Sequence, residues 1–212
     1  MRHRLHPLSR VSFERRAAKE GYRLIAGLDE AGRGPLAGPV VAAAAVVRTS
    51  RFSCRIDDSK RLTPRQREEA FLEILEKCWV GIGVVAVELI EAFNIFQASR
   101  LAMEQSLQNL TVSPDFLLVD GRLPLRVPQP YWQIVHGDQR SLSISCASIV
   151  AKVTRDRIMT HYHQLYPDYG FIRHKGYATP EHLEALEKYG PSPIHRQGFH
   201  PICEMITHAN HP

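Results

Sequence analysis

The hydrophobic pattern of the chain changes period repeatedly, and each change marks an element. Two apolar runs, residues 23–30 and 39–48 ("PVVAAAAVVR"), flank a glycine-rich turn and read as strands. Between 63 and 78 ("TPRQREEAFLEILEKC") the spacing becomes helical, with Thr63 suited to the N-cap and Pro64 to the first turn. "WVGIGVVAVE" (79–88) returns to strand, with Val84, Val85 and Val87 supplying β-propensity. Residues 89–110 are helical again through Ile90, Phe93, Leu101 and Leu107. "FLLVD" (116–120) and "YWQIVHG" (131–137) predict short strands, and 142–165 a long helix. From about 166 the chain is turn-rich, with one more helix at 180–189. At the amino end, 10–21 predicts a short helix closed by Gly21, and 1–9 a frayed terminus.

This order of elements predicts an α/β architecture, a mixed sheet with helices on both faces. Parallel neighbours are expected where a helix intervenes, because a crossover is needed there. Three segments follow: a basic, partly helical stretch at 1–20, an α/β core at 21–165, and a C-terminal segment at 166–212. The 212 residues suit one domain with a modest appendage, and 44% hydrophobic content is ample for a core. No apolar run approaches the roughly 18 residues that would span a bilayer. The four cysteines form no C-x-x-C pair, which predicts a reduced, cytoplasmic protein.

Charge changes the picture at one place. The net charge of +5 resides in residues 1–23, where seven Lys/Arg face only Glu14 and Glu20. Such a segment suits a polyanion, or is simply a solvated helix with a basic face; both readings stand at this point. It is short and carries two glutamates, unlike a transit peptide, and no secretory apolar stretch is present.

Candidate chemistry gathers at the ends of predicted strands. Asp29 and Glu30 ("GLDEAG"), Asp120 ("LLVDGR") and Asp138 ("IVHGDQ") each lie beside a glycine or one residue from it. Ends of strands in one sheet converge in space. Converging carboxylates repel, and protonation or a cation must offset that. An all-oxygen set favours a hard ion, Mg²⁺ or Mn²⁺. Taken singly, Asp120 and Asp138 also read as ordinary acids at loop edges. Asp29 and Glu30 point to opposite faces of a regular strand, so sharing one site requires the strand to end or twist at Glu30. Of the eleven histidines, His161 and His163 are two apart on a helix and do not share a face, which argues against zinc. "GRGPLAG" matches neither nucleotide-binding glycine motif. Lys152, Arg155 and Arg157 on the long helix read either as phosphate contacts or as a solvated face.

Longer motifs carry a family resemblance. "AGLDEAGRGPLAGPVVAAAAVV", "DDSKRLTPRQRE", "FNIFQASRLAM", "LLVDGRLPL", "GDQRSLSISCASIVAKVTRDR", "YPDYGFIRHKGYATPEHLEAL" and "GPSPIHRQGFHP" resemble, in this order, the bacterial ribonuclease HII family over roughly residues 20–201. The resemblance implies a ribonuclease-H-like fold with a five-stranded mixed sheet flanked by helices. It implies an endonuclease that cuts RNA in RNA–DNA hybrids and single ribonucleotides in duplex DNA, 5′ of the ribonucleotide, by two-metal hydrolysis. It places the family's metal-binding carboxylates on Asp29, Glu30, Asp120 and Asp138, and its junction-reading loop on Gly32, Arg33 and Gly34. Its substrate-sensing tyrosine falls on Tyr177, and a phosphate contact on Lys60. The implied partners are the nucleic-acid substrates, with no membrane, for a monomeric protein. Ser145-Cys146 departs from the family's small residues and is expected to affect helix packing more than chemistry; "QGFHPICEMITHANHP" shows no sliding-clamp peptide. A non-catalytic nucleic-acid-binding module and another nuclease of the same fold are the alternative readings.

Overall fold

The computed structural model describes residues 11–209. The fray expected at 1–9 lies outside them. Five strands form one sheet in the order β3-β2-β1-β4-β5. They are β1 (Ile25–Ala31), β2 (Val40–Val47), β3 (Cys78–Val85), β4 (Phe116–Asp120) and β5 (Tyr131–Ile134). β2 is antiparallel to both β1 and β3, whereas β1, β4 and β5 run parallel.

The predicted link between helices and parallel pairing holds for only part of the sheet. β2 and β3 are separated by α2 (Pro64–Lys77) yet pair antiparallel. Residues 48–63 first climb back along the sheet, so α2 returns the chain to the end at which β2 finished. β4 and β5 pair parallel with no helix between them; the irregular stretch 121–130 makes that crossover.

Alternation along the strands separates two cores. Ala26, Leu28, Ala42 and Ala44 face α3 (Val87–Gln108), where Ala98, Ala102 and Met103 pack on them. Ala43 and Ala45 face α2 and the long α5 (Leu142–Leu165), against Phe71, Ile74, Ala147 and Val150. The small side chains of β2 and the sheet glycines let the helices press close. A Cβ on Gly27 would lie 2.2 Å from the Ile144 nitrogen of α5, and one on Gly83 2.0 Å from the Ala102 oxygen of α3.

The boundaries of α5 and of α7 (Pro180–Tyr189) agree with the pattern. α2 carries the foreseen cap: the Thr63 side chain accepts from Gln66 N, and Gln66 answers with its own side chain. α1 is Ser12–Lys19. α3 breaks at Asn94 (φ 66°), whose side-chain oxygen accepts from the amides of Phe96 and Gln97 and so caps the second half. Three helices escaped the pattern: α4 (Gly137–Arg140), α6 (Phe171–His174) and α8 (Ile202–Ala209). The first two are single turns, too short to show a period. The four cysteines are free, and among the described residues no helix is long and apolar enough to cross a membrane.

Candidate active site

β1 delivers Asp29 and Glu30 to the rim of the sheet. The strand does not stop at Glu30, as expected, but runs through Ala31; Gly32 then turns at φ 100°. The two side chains therefore lie on opposite faces, Asp29 beside Ala43 and Glu30 beside Ala42. They remain electrostatic neighbours because both stand at the open end of the strand. The last registered pair between β1 and β4 is Leu28–Val119, so the next residues along, Asp29 and Asp120, emerge side by side.

Asp138 arrives differently from the sequence expectation. β5 ends at Ile134, and Asp138 sits in the one-turn α4 rather than at a strand end. Asp120 ties it in: Oδ1 accepts the Gly137 amide at 2.6 Å. The Ser145 hydroxyl also donates to the Asp138 carbonyl at 2.6 Å, so the departure at Ser145 does reach the backbone of a candidate site residue.

The acids repel one another. Burial, then Glu30 and Asp120, and also Asp138, push Asp29 well above the carboxylate range, although Ser148 donates to it. Burial and Asp120 raise Glu30, against the opposing pull of Arg33, whose Nη1 lies 3.4 Å from Oε1. Burial, then Asp58 and Asp120, raise Asp138 to about 6. Among the described residues no three His, Cys, Asp or Glu side chains are already drawn into a metal-holding group. The donor set is nonetheless all oxygen and short of positive charge, and that chemistry fits a hard divalent cation.

The motif at 57–60 contributes more than the sequence reading assigned to it. Asp57 and Asp58 are both buried. Asp58 caps a 3-10 turn by accepting the Lys60 amide at 2.9 Å, and its other oxygen meets Gln139 Nε2 at 3.3 Å. Burial works against the Lys60 ammonium, but Asp58, Asp138, Asp29 and Asp120 outweigh it and raise its pKa. Lys60 thus feels three of the four predicted carboxylates. Ser59 reaches Ser148, the donor to Asp29, at 3.0 Å. The adjacent acids of "DDSK" were the available signal for Asp58.

Gly32, Arg33 and Gly34 follow at once. A Cβ on Gly32 would meet Arg155 Nε at 2.2 Å, and one on Gly34 would lie 4.0 Å from the Tyr177 ring. Tyr177 is 43% exposed and follows two left-handed residues, Lys175 and Gly176. Gly176 O accepts from Leu36 N at 2.8 Å, which fastens the tyrosine segment to the glycine-rich loop. Within α5, Lys152 pairs with Asp156 at 2.7 Å and Arg157 with Glu68. Arg155 is fully buried and binds the carbonyls of Ala37, Pro39 and Lys175, a role neither sequence reading foresaw. In α1, Arg16 stacks on Trp132 at 4.5 Å and pairs with Glu20 at 3.5 Å.

Known proteins share this fold. The class is the ribonuclease-H-like α/β proteins. Ribonuclease H2 from Pyrococcus horikoshii OT3 superposes with a TM-score of 0.76 at 26% identity, over 90% of this chain and 100% of that one. Bst-RNase HIII, solved in complex with Mn²⁺, superposes at 0.70 and 16% identity, over 92% and 73%, and shares the fold. The family model described as Ribonuclease HII matches residues 26–202. A ribonuclease HII from Chlamydia pneumoniae is 49% identical over 203 residues, 94% of each chain. The chain belongs to the ribonuclease HII family and is therefore a ribonuclease H, a hydrolytic endonuclease.

Proposed function

We propose that Asp29, Glu30, Asp120 and Asp138 hold divalent cations, Mg²⁺ or Mn²⁺, at a site that cleaves RNA–DNA hybrids and single ribonucleotides in duplex DNA. The observation that carries this reading is the convergence of acids at the rim formed by β1, β4 and α4, where Asp29 and Asp120 emerge side by side and Asp120 holds the turn that carries Asp138; burial first, and then repulsion among acids, raises the pKa of Asp29, Glu30 and Asp138. Bst-RNase HIII, which shares the fold, is solved with Mn²⁺. When bound, such cations supply Lewis acidity and a nucleophile from water.

The chain's own residues do the rest. The carboxylates act as ligands and fix the phosphate's approach. Lys60 is held beside them as a point charge for a phosphate oxygen. Gly32 and Gly34 leave the loop backbone open to a ribose, and Tyr177 offers a ring and a hydroxyl next to it. The 2′-hydroxyl is the group that separates RNA from DNA at one nucleotide. Cleavage falls 5′ of the ribonucleotide and leaves a 3′-hydroxyl and a 5′-phosphate.

The deciding assay is nicking of duplex DNA that contains one ribonucleotide, with and without Mg²⁺, beside an all-DNA control. Cation-dependent cutting 5′ of the ribonucleotide is expected. Equal cutting of the control would assign another nuclease activity, and binding without cutting would assign a non-catalytic module.

A further inference from the structure

Two adjacent residues of the C-terminal segment reach opposite halves of the proposed ribose-reading site. The segment lies along residues 36–38: Arg196 N donates to Leu36 O at 2.8 Å, and Gly38 N to Ile194 O at 2.9 Å. From this position Arg196 turns toward the glycine-rich loop and His195 toward Tyr177.

Arg196 is fully buried, and each of its hydrogen bonds ends on a main-chain carbonyl. Nη1 holds Arg33 O at 3.0 Å, and Nη2 holds Gly32 O at 2.6 Å and Gly38 O at 2.8 Å. This choice of partners has a geometric consequence. In a trans peptide the carbonyl and the following N–H point in opposite directions. With Gly32 O and Arg33 O drawn onto the guanidinium, the amides of Arg33 and Gly34 face away from it. Among the described residues neither amide has a hydrogen-bond partner. Two donors are thus left open, and the place of a Gly34 Cβ is 4.0 Å from the Tyr177 ring.

His195 works through His182. Ser192 N donates to His195 Nδ1 at 2.8 Å, which leaves the ring proton on Nε2. That Nε2–H faces His182 Nε2 at 2.9 Å, so His182 carries its own proton on Nδ1. His182 Nδ1 donates to the Tyr177 carbonyl at 2.9 Å. The chain runs in one direction and needs both rings neutral. Burial ensures this, lowering His182 to about 4 and His195 to about 3.

We propose that Arg196 and the His195–His182 pair are positioning residues for ribose recognition: Arg196 aims the Arg33 and Gly34 amides outward, and the histidine pair fixes the Tyr177 backbone opposite them. The proposal rests on the assignment of Gly32–Gly34 and Tyr177 as the ribose-reading elements.

The test is steady-state cleavage of duplex DNA with one ribonucleotide by Arg196→Lys, His182→Leu, His182→Asn and Tyr177→Ala, normalised to the fraction of protein that binds Mn²⁺ without DNA. Lysine keeps the charge but loses the fork. Asparagine keeps a donor near the Nδ1 position, whereas leucine keeps only bulk. Arg196→Lys is expected to raise KM at least tenfold with a smaller change in kcat. His182→Leu should raise KM several-fold, and His182→Asn should return it to within about twofold of the parent. A purely structural role predicts lost Mn²⁺ binding and a lower melting temperature, with KM of the surviving fraction unchanged, and that result overturns the proposal. If Arg196→Lys does not fold, the His182 pair decides, since equal KM for Leu and Asn also overturns it. Tyr177→Ala separates the two levels. If it leaves KM unchanged, the reading of Tyr177 itself fails; if it raises KM while the His182 variants do not, only the positioning proposal fails.

Discussion

The amide of Gly137 donates to Oδ1 of Asp120 at 2.6 Å, and this one bond joins the strand that carries Asp120 to the helical turn that carries Asp138. A Cβ at 137 would stand 3.1 Å from Asp120 Oδ1 and 2.6 Å from Ile144 Cδ1.

Gly137→Ala is therefore expected to move α4 away from Asp120. Overpacking of this kind costs about 1–3 kcal/mol, read as a lower midpoint in urea. Cleavage should fall at least tenfold, because two of the proposed ligands separate. Parent-like activity in the folded variant would remove this contact from the site's architecture.

Burial of the acids, reinforced by their mutual repulsion, predicts a distinctive pH dependence. Asp29, Glu30 and Asp138 have raised folded-state pKa values, about 6 for Asp138. A raised acid stabilises the fold below its unfolded pKa, near 4, and that stabilisation is lost as pH rises through the folded value. The buried, neutral His182 and His195 act in the opposite sense over the same range, so the acid's share is read as a difference: the metal-free melting temperature of Asp138→Asn minus that of the parent should rise between about pH 4 and pH 6 and then level off. Mn²⁺ should restore stability at pH 7 by binding only the folded state. Melting curves in EDTA and in Mn²⁺ check the sign.

Asp29→Asn should abolish Mg²⁺-dependent cleavage while leaving the circular dichroism spectrum intact. It replaces a buried acid whose ionisation burial, Glu30, Asp120 and Asp138 oppose, so the metal-free variant should melt higher than the parent at pH 7. Retained cleavage by purified Asp29→Asn protein would sink the ligand assignment.

Tyr177 should show a graded response on duplex DNA with one ribonucleotide. The phenylalanine variant loses one neutral hydrogen bond, about 0.5–1.5 kcal/mol. Alanine also loses the stack, a further ~1–3 kcal/mol. Cleavage of continuous hybrid should suffer less if the ring mainly positions the RNA–DNA junction. Parallel kcat/KM measurements on the two substrates give the comparison.

α1 predicts a stability effect from an acid in a basic segment. Glu14 Oε1 accepts from Ser141 Oγ, Ser143 N and Ser143 Oγ at 2.6, 2.9 and 2.8 Å, at the amino end of α5. A carboxylate there also complements the helix dipole. Glu14→Ala should cost about 1.5–3 kcal/mol, the range for hydrogen bonds to a charged group. A denaturant midpoint equal to the parent's would show that α1 does not brace α5.

Some of this was legible along the chain. Helical spacing and turn chemistry are local, which is why Thr63, Pro64 and the span of α5 were readable without contacts. Asp29, Glu30 and Asp120 were recognisable as acids that end buried runs. One-turn helices leave no period to read, so α4 hid the true setting of Asp138. The direction of β3 depended on a climbing loop rather than on the presence of α2.

The order of strands and helices, the acids at their ends and the glycines beside them belong to the sequence, because propensity and alternation act over a few residues. The tertiary structure alone decided which distant groups meet. Arg155 looked like a surface cation on a helix, yet it is buried on three carbonyls. Asp58 joins the carboxylates from a loop that precedes Asp138 by 80 residues. Burial turns such residues from solvated charges into fixed partners, and burial is set by the packing of distant elements, which no local pattern contains.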